Sequence, residues 1–210
     1  MPCHSRNPIE INMLEDKKPI RIAMVGDSLT YSDGPANSTG VVPQLQQMLG
    51  ETFTALNFGV NGATALRESD KPYWTQPEYQ HAVNSSPNAV IIMLGTNDSK
   101  TSNWKGGDNK FTSDYEELIQ VFHSLPSQPR IWLGLNPPAF GNEWTISPAV
   151  IKEEIHPKVK IIARKYSFKL IDYYRLFGER EALFQDGVHP TAEGNQIIAA
   201  ELAKTLREYY

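Results

Sequence analysis

Near its amino terminus, the chain has a short apolar run that ends at Gly26, with the sequence Ile20-Arg21-Ile22-Ala23-Met24-Val25. A short apolar run closed by a glycine is typical of a strand buried on both faces of a parallel sheet. Similar runs recur along the chain. They are Phe53 to Phe58, Ala89 to Leu94, Arg130 to Leu135 and Lys169 to Ile171.

Helical patterns lie between these strands, with apolar residues three and four positions apart. They cover residues 42–49, 115–122, 151–166 and 198–206. Ser113 and Glu116 have the spacing of a capping box, which predicts a helix that begins at Ser113. Pro157 would cost about 3 kcal/mol inside a helix, so we expect a break or kink there.

The alternation of strands and helices predicts an α/β fold, with an open parallel sheet and helices on both of its faces. We expect one domain over residues 20–210, preceded by a polar arm over residues 1–19. The stretches 64–86 and 99–111 have no clear period and are expected to be loops. Long loops within a compact domain often carry function.

Composition excludes several classes of protein. The 210 residues carry a formal charge of -4, so there is no cationic excess for a nucleic acid partner. The single cysteine, Cys3, allows no internal disulfide framework. No apolar run is long enough to span a membrane, and residues 1–18 lack the apolar core of a secretory signal. We therefore expect a soluble chain whose compartment is undetermined, with the cytoplasm favoured unless a leader has been removed.

Polar residues follow the predicted strands, at the edge of the sheet where open α/β folds bind ligands. Ser28 follows the first strand, and a serine there is commonly a turn or cap residue. As a nucleophile it would need a base and a group that orients the base. His189 can be that base, and Asp186, three residues earlier, can orient it. A histidine before a helix is otherwise often structural.

Acyl transfer also requires donors for the developing oxyanion. Three candidates follow the first three strands: the backbone N–H groups of Ser28 and Gly62, and the side-chain amide of Asn97. Alone, Gly62 could be a turn glycine and Asn97 a turn or cap residue. We interpret Asp27 and Asp98 as supports that hold these loops through backbone amides, although carboxylates here could also form an acid–base pair or ligate a hard metal.

Neither a phosphate-binding glycine loop nor a histidine spacing typical of a metal site occurs, so we predict no cofactor and no metal. The nucleophile elbow G-x-S-x-G is also missing, because Thr30 takes the place of its second glycine. Trp74, Trp104 and Trp144 fall in predicted loops, where each could stack on a substrate or simply pack within the loop.

Four segments of the chain resemble, in order, the signature segments of the SGNH hydrolases, also called GDSL-type lipases and acylhydrolases. They are Gly26-Asp27-Ser28-Leu29-Thr30, Asn57-Phe58-Gly59-Val60-Asn61-Gly62, Gly95-Thr96-Asn97-Asp98 and Asp186-Gly187-Val188-His189-Pro190. The resemblance implies that Ser28 is the nucleophile and an oxyanion donor, Gly62 and Asn97 are the other donors, and Asp186 and His189 complete a triad. It implies a flavodoxin-like three-layer sandwich with five parallel strands in the order 2-1-3-4-5.

The loop sequences indicate which members of this family the chain resembles most. The segment Gly95 to Lys100 followed by Trp104, and the turn Asn136-Pro137-Pro138, look most similar to bacterial carbohydrate and sialate O-acetylesterases. We therefore expect a serine esterase that removes a short acyl group, above all acetyl, from a carbohydrate through an acyl-enzyme. The alternatives are lysophospholipase, thioesterase or aryl esterase activity, and a non-catalytic carbohydrate-binding module. The expected partner is a small or oligosaccharide acyl ester; the oligomeric state is not predicted.

Overall fold

The computed structural model describes residues 18–34, 37–105, 109–141 and 143–210. Nearly all of the expected polar arm, including Cys3, lies outside these ranges. Five strands form one sheet: β1 Ile20–Gly26, β2 Phe53–Gly59, β3 Ala89–Met93, β4 Arg130–Leu135 and β5 Lys169–Asp172. All neighbouring strands pair in parallel, in the order β2-β1-β3-β4-β5, which confirms the predicted sheet.

Helices cover both faces of this sheet. Their bounds are α1 Ser28–Tyr31, α2 Val41–Leu49, α3 Pro77–Asn84, α4 Asn109–His123, α5 Pro148–Val150, α6 His156–Tyr166, α7 Tyr173–Phe177 and α8 Ala192–Arg207. One buried cluster joins α4 and α6 to one face, and a second joins α2 and α8 to the other. Because alternate residues of β1 point to opposite faces, Ala23 and Val25 belong to the first cluster, and Ile22 and Met24 to the second. The α/β three-layer architecture is therefore as expected.

Two local predictions were wrong. Helix α4 begins at Asn109, so Ser113 is not its cap; the Ser113 hydroxyl donates to the carbonyl of Lys110, within the helix. The stretch 64–86 is not all loop, because it contains α3. Only Ala82 of α3 is buried, so this helix lacks the apolar stripe by which the others could be recognised.

The expected break at Pro157 takes the form of a π-helical turn. Residues Ile151–Ile155 form this turn between α5 and α6, and their flanking residues keep right-handed helical dihedrals. Pro157 then lies in the first turn of α6. A proline has no N–H and collides with the carbonyl four residues earlier, and the wider turn accommodates both restrictions without ending the helical path.

Close packing at the carboxyl ends of β1 and β2 positions the segment that follows β1. A Cβ on Gly26 would collide with the Thr30 hydroxyl and lie 2.7 Å from the carbonyl oxygen of Met93. A Cβ on Gly59 would overlap the backbone of Thr30 and Tyr31. Glycine at both strand ends therefore lets α1 sit directly on the edge of the sheet. Over the described ranges, none of the helices combines the length and apolar character required to cross a bilayer.

Candidate active site

Ser28 begins α1, directly after β1 and its capping residue Asp27. The Asp27 side chain accepts a hydrogen bond from the N–H of Leu29 at 3.0 Å, which satisfies one of the free donors at the start of the helix. The Ser28 hydroxyl oxygen lies 2.9 Å from Nε2 of His189, although the two residues are 161 positions apart in the chain. The structure thus brings the predicted nucleophile and base within proton-transfer distance.

Asp186 holds the other side of the His189 imidazole. Its Oδ2 lies 2.7 Å from Nδ1 of His189, and its Oδ1 accepts the backbone N–H groups of Val188 and His189 at 3.0 and 2.7 Å. Partial burial by itself would raise the pKa of Asp186. The two N–H donors and the imidazole outweigh this effect and lower the pKa from 3.8 to about 2. An ionised carboxylate can only accept hydrogen bonds, so in the neutral ring Nδ1 carries the hydrogen and Nε2 can accept from Ser28.

Gly62 and Asn97 lie beside this triad. Gly62 has a φ of 79°, in the left-handed region that glycine occupies readily. The Asn97 side chain is nearly buried, and its amide nitrogen donates to the carbonyl of Ala63 at 3.2 Å. An amide nitrogen has two hydrogens, so this contact fixes Asn97 and leaves one hydrogen for a ligand. Both residues line one cavity of about 540 Å³ together with Ser28, Asp186 and His189.

Asp27 and Asp98 are fully buried beneath the cavity. The Asp98 carboxylate accepts the backbone N–H groups of Leu66 and Ala65 at 2.8 and 3.1 Å, and so ties the Asn97 turn to the loop that follows Gly62. Burial raises the pKa of Asp27 to about 6, against the opposing effect of the Leu29 N–H, and that of Asp98 to about 7, against the N–H groups of Leu66 and Ala65. Both carboxylates thus accept hydrogen bonds from loop or helix-terminal backbone, and their supporting role stays a prediction.

The three candidate tryptophans are in different surroundings. Trp144 lines the cavity, and its indole nitrogen donates to Oδ2 of Asp186 at 3.3 Å. Trp74 lies outside the cavity lining, where its indole donates to the carbonyl of Ala65 and the Arg67 guanidinium lies 3.6 Å from its ring centre. Trp104 is buried and donates to Glu154 at 2.9 Å. The structure therefore brings only Trp144 of the three to the triad.

A polar network that the sequence analysis missed supports Asn97. The amide nitrogen of Asn103 donates to the backbone carbonyl of Asn97 at 2.9 Å and to Oδ1 of Asp70 at 2.8 Å. Lys100, which lines the cavity, forms an ion pair with Oδ2 of Asp70 at 3.1 Å. Asp70 belongs to the loop after Gly62, so the network joins the same two loops as Asp98. Because Asp70 and Asn103 are 33 residues apart, no local spacing pattern in the sequence indicates this network.

Other polar residues at the cavity were also missed. They are Ser32, Asp33, Asn61, Gln185 and Asn195. Asn61 lies within the second signature segment and Gln185 directly precedes the fourth, which is the signal that could have identified them. Among the residues that the structure describes, no cluster of three or more His, Cys, Asp or Glu side chains could hold a metal ion.

Comparisons with known proteins identify relatives of this chain. Residues 24–197 match the model of the GDSL-like Lipase/Acylhydrolase family. An acetylxylan esterase of Xylanibacter ruminicola is 32% identical in an alignment 208 residues long that covers 90% of this chain. The chain spans 43% of the length of that relative.

Solved structures show the same fold. A carbohydrate acetylesterase from Sinorhizobium meliloti superposes with a TM-score of 0.74 at 15% identity, over 91% of this chain and 100% of that one. An aryl esterase from M. smegmatis does so with a TM-score of 0.65 at 20% identity, also over 91% and 100% of the two chains.

Proposed function

Because the chain belongs to the GDSL-like lipase/acylhydrolase family, whose members the four signature segments resemble, we propose that it is a serine esterase that removes short acyl groups, above all acetyl, from carbohydrate hydroxyls. The observation that carries this proposal is the aligned set of Ser28, His189 and Asp186, with contacts of 2.9 and 2.7 Å. A serine hydroxyl becomes an effective nucleophile when a base accepts its proton and a third group orients that base.

In the first half of the reaction, His189 takes the proton of Ser28 as the serine oxygen attacks the ester carbonyl. Asp186 holds the imidazole in the required tautomer and stabilises the charge that the ring acquires. The N–H groups of Ser28 and Gly62 and the amide of Asn97 then surround the oxyanion. The tetrahedral intermediate collapses, the sugar alcohol takes the proton from His189 and leaves, and Ser28 remains acylated.

In the second half, His189 accepts a proton from water, which attacks the acyl-enzyme. The same donors stabilise the second oxyanion, and the acid leaves as Ser28 recovers its proton. No step requires a metal or an organic cofactor, because the hydroxyl, the imidazole and the amide donors supply the nucleophile, the proton transfer and the charge stabilisation.

Two observations support a carbohydrate ester as the substrate. The first is the similarity to an acetylxylan esterase. The second is the lining of the cavity, where Asn61, Asp33 and Gln185 have side-chain groups that could hydrogen-bond a hydroxylated leaving group. A lipid ester would instead require a long apolar channel, since each methylene taken from water contributes about 0.8 kcal/mol.

The test compares acetate release from acetylated xylan with hydrolysis of p-nitrophenyl acetate and p-nitrophenyl octanoate. We expect release of acetate from xylan and faster hydrolysis of the acetate than of the octanoate. Faster hydrolysis of the octanoate, with no release from xylan, would identify a lipid or thioester substrate instead.

A second experiment separates an enzyme from a binding module. A fluorophosphonate probe should label the wild type and Ser113→Ala, in which an exposed serine hydroxyl is lost, but not Ser28→Ala. Binding of xylan without labelling would indicate a module that kept the fold and lost the chemistry.

A further inference from the structure

A large indole ring stands in solvent beside the proposed acid and base. Trp144 is 62% exposed, and its ring lies edge-on to that of His189, with 6.3 Å between centroids and 82° between planes. Its backbone is left-handed, with a φ of 61°, and so is that of Thr145, with a φ of 60°. Such dihedrals at non-glycine residues cost on the order of 1–3 kcal/mol each and persist where the surroundings impose them.

Anchors on both sides of the active site impose this conformation. Ile146 is buried in a small cluster with Ile151 and Val188, and Val188 belongs to the turn that carries Asp186 and His189. On the other side, the N–H of Ser147 donates to the hydroxyl of Ser99 at 3.1 Å, within the turn that carries Asn97. The residues that directly follow Trp144 are therefore fixed to both halves of the site.

The indole N–H completes the coordination of the Asp186 carboxylate. Oδ1 accepts two backbone N–H groups, and Oδ2 accepts Nδ1–H of His189 and Nε1–H of Trp144. An ionised carboxylate has about four acceptor sites, so these four donors satisfy it. An indole N–H can donate but cannot accept, which makes it suited to a group that must stay ionised and correctly turned toward the imidazole.

We propose that Trp144 positions Asp186 through its indole N–H and, with its exposed ring face, forms the wall on which the sugar ring of the substrate packs. The second part rests on the proposed function. An indole has both a large apolar face and one polar atom, so one side chain can serve the acid and the leaving group together.

Two variants separate these roles. Trp144→Phe keeps an aromatic ring and removes the N–H, whereas Trp144→Ala removes both. With ethyl acetate, which has no ring, both variants should lose about fivefold in kcat, as expected for one hydrogen bond. With xylose tetraacetate, Trp144→Phe should show the same loss in kcat at an unchanged KM, and Trp144→Ala should in addition raise KM about fivefold through lost ring packing.

The control is Tyr210→Phe, which removes a hydroxyl from a partly exposed ring outside the cavity lining. This hydroxyl donates to the carbonyl of Asn88, the residue before β3. It should leave all kinetic constants unchanged. Thermal unfolding of each variant checks that the fold is retained.

A double-mutant cycle tests whether Trp144 acts through Asp186. Trp144→Phe should have no further effect on kcat in an Asp186→Ala background, because the acceptor is already missing. An equal loss in both backgrounds, or an unchanged kcat for Trp144→Phe alone, would overturn the positioning role. An unchanged KM for xylose tetraacetate in Trp144→Ala would refute the packing of the sugar ring on the Trp144 ring.

A spectroscopic measurement keeps this inference distinct from the proposed function. The indole ¹⁵N–H resonance of Trp144, assigned by its loss in Trp144→Phe, should shift in Asp186→Asn; a resonance that does not move would refute the contact whether or not the chain is active. Suppose instead that the wild type hydrolyses neither ester but the resonance does move. That result would overturn the proposed function and the packing of a sugar ring on Trp144, and would support the contact between Trp144 and Asp186.

Discussion

The buried carboxyl of Asp27 should make the stability of the protein depend on pH. Burial raises its pKa from 3.8 to about 6, and the N–H of Leu29, which donates to Oδ1, offsets only part of this effect. A carboxyl with a raised folded-state pKa contributes stability that is fully present below its unfolded pKa and is lost as the pH rises through the folded value.

The size of the effect follows from the shift. About two pKa units correspond to about 3 kcal/mol of unfolding free energy, and roughly half of this is lost between pH 5 and pH 8. Asp27→Asn removes the ionisation and keeps an oxygen for the N–H of Leu29. The pKa of Asp98 is raised mainly by burial and also by the charge of Asp27. Asp27→Asn removes that second contribution and so should lower the pKa of Asp98.

The assay is urea unfolding of the wild type and Asp27→Asn at pH 5, 6.5 and 8. We expect the free energy of unfolding to fall with pH in the wild type, and the difference between the two proteins to move by at least about 1 kcal/mol in favour of the variant between the extremes. Asp33→Asn, which removes an exposed carboxylate at the rim of the cavity, is the matched control and should parallel the wild type. Parallel curves for Asp27→Asn as well would refute the reasoning.

Three further results are expected. Asn97→Ala should lower kcat for p-nitrophenyl acetate by about 10²–10³, as the loss of one oxyanion donor does elsewhere, and a loss below about threefold would remove Asn97 from that role. Gly59→Ala should lower the melting temperature strongly, because its Cβ would overlap the backbone at Tyr31, whereas Gly50→Ala, with a φ of 71° and open space around it, should cost about 1 kcal/mol; equal effects would show that α1 yields easily. EDTA should leave esterase activity unchanged, and a loss reversed by zinc would contradict a mechanism carried by Ser28 and His189 alone.

The sheet could be predicted because β1, β3 and β4 are short, largely buried runs that are followed by glycine or polar residues. Its carboxyl ends meet at one edge, so polar residues that follow different strands are brought together by the topology alone. The amino-acid sequence is therefore enough to predict that Ser28, Gly62 and Asn97 lie near one another. The observed strand ends differ from the predicted ones by only a residue, as at Met93.

What the sequence could not supply depends on partners that are distant in the chain. Trp104 is fixed by Glu154, 50 residues away, and Asp70 by Asn103, so neither environment leaves a local pattern. Helix α3 was missed for the opposite reason, because it lies on the surface and needs no apolar stripe. The sequence could predict only that the helix is irregular near Pro157. Proline is incompatible with a regular helix interior, but it does not determine whether the chain forms a break, a kink or a π-helical turn.

Two members of the proposed triad occupy a single tight turn, in which Asp186 accepts the N–H groups of Val188 and His189. These two side chains are therefore aligned by contacts between residues no more than three positions apart in sequence. Long-range contacts must then bring this turn to Ser28 and Trp144 to Asp186. Insertions between β5 and the turn should consequently change the distance from His189 to Ser28 more than the alignment of His189 with Asp186, which the turn itself maintains.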